Sequence, residues 1–236
     1  MLVINNLSKT YKGGKKAVDH LSIHVMPGDI YGFIGHNGAG KTTTLRAVAG
    51  ILDFDEGDII IDGTSMKKDS IQCKRNLAYI PDNPDLYEHL TGIQYLNFIG
   101  DIFQISQSIR QNEIKKYSDL FELTPNLGDL IASYSHGMKQ KLALISALIH
   151  KPKLLLLDEP FVGLDPKAAH LLKEVMKELC LKGSAIFFST HVLDVAEKLC
   201  NKIAIIKGGV LIASGTTEAV KGNSSLEDVF MELIES

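Results

Sequence analysis

Ile30-Tyr31-Gly32-Phe33-Ile34-Gly35-His36-Asn37-Gly38-Ala39-Gly40-Lys41-Thr42 is the stretch that organises the rest of the chain. Its first five residues make a short apolar strand. Thr42 to Ile51 is predicted to continue as a helix. Between them, Gly35 to Thr42 fits G-x-x-x-x-G-K-[ST], in the strand-then-helix context that the motif requires. The residue types have a chemical reason. Glycines let successive backbone N–H groups turn inward around phosphate oxygens. A helix N-terminus adds favourable potential for an anion. Lys41 sets a positive charge against the β- and γ-phosphates, and Thr42 offers a hydroxyl oxygen to Mg²⁺. Gly35, His36, Asn37, Gly38, Ala39, Gly40, Lys41, Thr42 and the adjoining Thr43 are therefore candidate contacts to a nucleoside triphosphate. Kinases, GTPases and motor ATPases all share such a loop. A GTPase should also carry Asn-Lys-x-Asp; the nearest string, Asn201-Lys202-Ile203-Ala204, lacks the acid and leads into a strand.

A second signal lies far along the chain. Leu154-Leu155-Leu156-Leu157 is a continuous apolar run, as expected of a strand buried on both faces, and it ends in Asp158-Glu159. A strand ending in Asp brings an oxygen ligand to the metal of a phosphate loop. Glu159, next to it, is the candidate general base, since a carboxylate beside Mg²⁺ and triphosphate can accept the proton of an attacking water.

Leu2–Leu7 and Ala17–Val25 read as strands, the second with Val18, Leu21, Ile23 and Val25 facing inward. Asp58–Ile61, Leu77–Ile80, Ala185–Ser189 and a hairpin of Ile203–Ile206 with Val210–Ala213 are further strands. From about Gly92 to Ala132 the pattern turns helical, with Ile93, Leu96, Ile99 and Phe103 at helical spacing. Asp165 followed by Pro166 starts another helix. Ser224 with Glu227 three residues on starts the last.

Composition narrows the class. The 236 residues are 45% hydrophobic, enough for a large core, and the net charge of -3 is not that of a nucleic-acid binder. Three cysteines without a C-x-x-C pair point to a reducing compartment and inert thiols, not to zinc. The opening Met1–Asn6 turns polar too quickly for a signal peptide. No apolar run approaches the ~20 residues that span a bilayer, so a membrane role implies a partner chain.

Tyr134-Ser135-His136-Gly137-Met138, 23 residues ahead of Asp158, resembles the signature motif of ABC ATPases. Gly163-Leu164-Asp165-Pro166 resembles their D-loop, Ser189-Thr190-His191 their switch-histidine segment, and Pro81–Thr91 their Q-loop. Tyr11 matches the aromatic that stacks on adenine. The resemblance covers essentially the whole chain, in the family's order. It implies an α/β P-loop NTPase core with a mixed, largely parallel sheet, an N-terminal antiparallel β part and an inserted helical lobe. The chain would be one domain, 1–236, with core 1–90 and 133–236 and the lobe at about 91–132. It also implies ATP and Mg²⁺, a second ABC cassette packed head to tail, a membrane-spanning permease, and a cytoplasmic location at the membrane through that permease. Glu159, His191 and Lys41 would be catalytic. Ser135 and Gly137 would meet the partner cassette's ATP, and Asp165 would couple the two sites.

Three positions depart from the family pattern, one of them Met138, which stands where the signature usually has glutamine. Asp82, in Ile80-Pro81-Asp82-Asn83-Pro84, stands where the Q-loop usually has glutamine; as a hard oxygen ligand it could still serve Mg²⁺ with Thr42 and Asp158. His136 replaces the second signature glycine and adds bulk near the partner's phosphate. The variant pattern resembles subunits of prokaryotic drug- or peptide-export systems, which implies export. The alternatives are a non-transport ABC ATPase, disfavoured by a single set of motifs, and a regulatory module that binds ATP without turnover, disfavoured by the presence of both Glu159 and His191.

Overall fold

The computed structural model describes residues 1–235. It resolves into two compact units. The first comprises Met1–Tyr79, Lys153–Pro160 and the chain from Met176 onward; the second comprises Ile80–Pro152 and Phe161–Val175.

The first unit carries two sheets. In one, β1 (Leu2–Thr10) pairs antiparallel with both β2 (Lys16–Val25) and β4 (Glu56–Ile61), and β5 (Thr64–Ser65) closes the order β2-β1-β4-β5. Val18, Leu21, Ile23 and Val25 are all buried, although Val18 and Leu21 are three apart. The register explains this. Leu7 pairs with Leu21 and Lys9 with Val18, so β2 carries an extra residue there, and His20 takes a left-handed φ of 48°. A bulge of this kind returns the apolar side chains to the same face.

The other sheet has the order β10-β9-β3-β8-β7-β6. Its strands are β3 (Ile30–Ile34), β6 (Leu77–Ile80), β7 (Leu154–Asp158), β8 (Ala185–Thr190), β9 (Lys202–Lys207) and β10 (Val210–Thr216). β3 runs parallel to β8 and β9, and β7 runs parallel to β8, while β9 and β10 form an antiparallel hairpin. Every residue of β3, β7 and β8 is buried, as their continuous apolar runs require. Their polar residues fall at the carboxyl ends, in register: Ile34 opposite Thr190 and Asp158 opposite Ser189. Ligands of parallel sheets bind beyond that edge.

The helix after the phosphate loop, α1 (Lys41–Val48), stops short of the predicted Ile51, because Gly50 turns to φ 64° and ends it. Next come α2 (Ser70–Asn76), α7 (Leu193–Leu199), α8 (Thr217–Lys221) and α9 (Leu226–Glu235). The cap of α9 lies one residue beyond the expected Ser224. Ser225 Oγ accepts from the amide of Asp228 at 3.1 Å and donates to its carboxylate at 2.6 Å. Ser224-Ser225 and Glu227-Asp228 offer the same spacing twice. The second pairing places Leu226 and Phe230 inward, both of them buried. All three cysteines are buried free thiols. Burial raises each, Cys180 to about 12.

The string Asn201-Lys202 has a structural task. Asn201 Nδ2 and Lys202 Nζ both donate to buried Asp29, at 2.9 and 3.0 Å, and Asn201 Oδ1 accepts the Ile30 amide at 2.8 Å. These contacts tie β9 to the turn that launches β3.

The second unit contains α3 (Gly92–Ile102), α4 (Gln107–Leu120) and α5 (His136–Leu148), and the start of α6 (Pro166–Leu181). Thr91 and Gln94 form a capping box on α3. Leu96, Ile114, Tyr117 and Phe121 fill its interior, with Leu142 and Ile145 of α5.

Candidate active site

Gly40, the N-cap of α1, has φ 111°, and a Cβ there would come within 2.4 Å of the carbonyl of Ala17. Only glycine fits both demands. Lys41 follows, 6% exposed, its ammonium donating to the carbonyls of Gly35 at 2.5 Å and His36 at 3.3 Å. A buried charge needs partners of this kind. The His36 carbonyl also accepts the amide of Ala39 at 3.1 Å, which closes the turn of the loop. Thr42 is exposed at the helix start, and the Tyr11 hydroxyl lies 3.3 Å from that of Thr43. Tyr11, exposed, thus stands beside the loop.

At the end of β7, Asp158 is buried and accepts from Ser189 Oγ at 2.5 Å. Glu159 adopts a left-handed φ of 49°, a conformation that costs a non-glycine residue and clusters at functional sites. Its amide is held by the Ser189 carbonyl at 3.2 Å and by Ser189 Oγ at 3.1 Å. This turn sends the carboxylate between Lys41 and His191. Oε1 faces Lys41 Nζ at 3.4 Å; Oε2 lies 3.0 Å from His191 Nδ1 and accepts the His191 amide at 3.4 Å. Oε1 is buried and takes no hydrogen bond among the described residues, so an acceptor stands ready beside the loop. Lys41, Glu159 and His191, far apart in sequence, therefore meet on one sheet edge.

The remaining sequence candidates lie in the second unit. Ser135 caps α5, its hydroxyl accepting the Met138 amide at 3.3 Å, so Gly137 falls in the first turn. Asp165 accepts the amide of Ala168 at 2.8 Å and pairs with Lys141 at 3.0 Å; the amide bond first, then the lysine, lowers its carboxyl below the usual range. His136 packs on the D-loop. A Cβ on Gly163, whose φ is 80°, would come within 2.6 Å of the imidazole Cδ2. Asp82 is exposed in this unit. Two groups escaped the sequence reading. Ser189 was seen only as part of the histidine segment, and nothing local announces its two bonds. The contact of His36 with Phe230, 5.0 Å between ring centroids, joins positions that no spacing rule connects.

The first unit's groups fit a Mg-nucleotide. The glycine cradle leaves room for phosphate against backbone. Among the described residues no three His, Cys, Asp or Glu side chains cluster to hold a metal. A metal here would rest on the Thr42 hydroxyl, the Asp158 carboxylate and phosphate oxygens, the hard and sparse protein set that suits Mg²⁺.

A phosphate loop at the carboxyl end of a parallel strand, with a histidine after the adjacent strand and an acid pair at the end of the strand beyond it, defines a P-loop nucleoside triphosphatase. The family profile described as ABC transporter matches residues 18–162. The chain belongs to the ABC transporter family, as an ATP-binding domain. Linearmycin resistance ATP-binding protein LnrL of Bacillus subtilis (strain 168) is 33% identical over 92% of this chain and 69% of its own length. A solved ATP-binding subunit of an ABC transporter superposes with a TM-score of 0.95 at 33% identity, covering 99% of both chains. The ATP-binding cassette MJ0796, in a dimeric post-hydrolysis state bound to ADP and phosphate, shares the fold at a TM-score of 0.84 and 22% identity, over 92% of this chain and 99% of that one.

Proposed function

We propose that this chain hydrolyses ATP to power an ABC exporter, as one of two cassettes that ATP closes against each other beneath a membrane-spanning permease. The observation that carries the reading is the Glu159 carboxylate, set between Lys41 and His191 with Oε1 taking no hydrogen bond among the described residues. Lys41 trades its carbonyl and Glu159 contacts for phosphate oxygens. Glu159, released from Lys41, accepts the proton of the attacking water. His191 orients that water and donates to the γ-phosphate. Tyr11 stacks on adenine, and Gly35 to Thr43 bind the phosphates through backbone amides. Thr42 and Asp158 would hold Mg²⁺, whose charge would offset that of the phosphates in the transition state.

Ser135 and Gly137 serve the partner's ATP: the capped N-terminus of α5 turns its unpaired amides toward a γ-phosphate across the interface. Asp165 couples the two sites. The dimeric state of MJ0796 supports the paired arrangement. The name of LnrL, a resistance protein, and the signature variant at His136 support export. No helix among the described residues is long and apolar enough to cross a membrane. Passage would belong to the permease, with this chain attached at its cytoplasmic side. Residues of about 91–132 would form the helical lobe inserted in the core.

The test is steady-state ATPase activity against protein concentration for wild type and Glu159→Gln, with size measured in ATP. Activity rising more than linearly, with a mutant that dimerises on ATP, is expected. A chain that stays monomeric and idle even with a membrane partner supplied would sink the proposal.

A further inference from the structure

The ring of Phe230 meets the imidazole of His36 edge to face, at 5.0 Å between centroids and 62° between planes. The two come from opposite ends of the chain. His36 is the second residue of the phosphate loop and is exposed; Phe230 sits in α9 and is buried. The contact reaches further than its own area, because the His36 carbonyl is a shared acceptor. It takes the Ala39 amide, which shapes the loop, and the Lys41 ammonium, which will meet phosphate. A ring that fixes where His36 lies also fixes where that carbonyl points.

The helix that presents Phe230 is itself anchored. At its start, the Leu226 amide donates to Glu197 Oε2 at 2.9 Å, and Lys221 Nζ donates to Glu197 Oε1 at 3.3 Å. Glu197 belongs to α7, which begins two residues after His191. Ser225 and Asp228 close the first turn. One short helix is thus fastened to the element behind His191 and leans its aromatic residue on the phosphate loop.

We propose that Phe230 is a positioning residue for nucleotide binding: it holds His36, and through the His36 carbonyl keeps Lys41 aimed into the cradle. Phe230 itself touches no nucleotide. The proposal rests on the reading that Gly35–Thr43 binds ATP.

The experiment is titration of the full chain with a fluorescent ATP analogue, with thermal stability recorded for each variant. His36→Ala changes only an exposed side chain. Phe230→Leu keeps an apolar plug but removes the ring, and Phe230→Tyr keeps the ring. His36→Ala and Phe230→Leu are each expected to raise the Kd about two- to tenfold, the strength of an aromatic pair. Phe230→Tyr should retain wild-type affinity, and the double variant His36→Ala/Phe230→Leu should be no weaker than the poorer single one. Unchanged affinity in either single variant, or losses that multiply in the double variant, would overturn the proposal. Lys41→Ala in the same titration separates the two failures. If it too binds like wild type, the ATP reading is what has failed.

Discussion

Ser189 Oγ donates to Asp158 Oδ1 at 2.5 Å while accepting the Glu159 amide at 3.1 Å, so one hydroxyl on β8 orders both acids at the end of β7. Both Ser189 and Asp158 are buried, and a hydrogen bond to a charged group is worth ~1.5–3 kcal/mol. Ser189→Ala is expected to lower the Tm by several degrees and to shift the Mg²⁺ dependence of turnover to higher concentration. A melting curve and a Mg²⁺ titration that both overlay wild type would show that Ser189 orders neither acid.

Glu159→Gln preserves shape and removes the proton acceptor. Turnover should fall by about 10²–10⁴, the usual weight of a general base, with nucleotide affinity retained. Single-turnover hydrolysis beside equilibrium binding separates the two. Equal turnover would reassign the base.

Lys41→Ala removes the ammonium that bridges the loop carbonyls and faces Glu159. One charged phosphate contact is worth ~1.5–3 kcal/mol, so nucleotide binding or turnover should weaken by about tenfold or more. Calorimetric titration with ATP reads this directly, and an unaffected Kd and rate would refute the phosphate-loop reading.

The cap of α9 offers a paired test of a one-residue difference. Ser225→Ala should cost about 1 kcal/mol, a Tm drop of roughly 2–4 °C, and Ser224→Ala close to nothing. The reverse order of the two melting curves would move the helix start back to Ser224.

Acid should unfold the protein through its carboxylates. Asp55 is held low first by the Thr10 amide and then by Lys9, Asp165 by the Ala168 amide and Lys141, and Glu197 by the Leu226 amide with help from Lys221. Each is depressed in the folded state, so below about pH 4 the unfolded chain binds more protons. The stability that these groups supply is present above that pH and is lost as pH falls through their lower folded values. The Tm should therefore be flat near neutrality and fall steeply below about pH 4. Asp165→Asn should flatten that fall, and a slope unchanged by it would remove Asp165 from the list.

What could be read from sequence was local. The phosphate loop declares itself because Gly40, Lys41 and Thr42 must follow one another. The β7 run declares itself because a strand covered on both faces has no polar residue until its end. Ser135 and Asp165 announce helix starts through their own side chains. Long-range facts left no such mark. That Glu159 would turn left-handed and reach both Lys41 and His191 depends on the register of β7 on β8, and β8 begins 26 residues after Glu159. The bulge at His20 broke the simple alternation of β2, and duplicated Ser and acidic residues made the α9 cap ambiguous. Phe230 looks like any core residue until the chain folds and brings it to His36.

The three thiols, all sunk beneath the surface and raised by burial, have a practical consequence for anyone who wishes to watch this cassette at work. Maleimide dyes need an accessible thiolate. The native cysteines at 73, 180 and 200 offer none. A single cysteine engineered at an exposed position, such as in the Lys12–Lys15 turn beside Tyr11, would carry the fluorophore alone, with the wild-type background left intact.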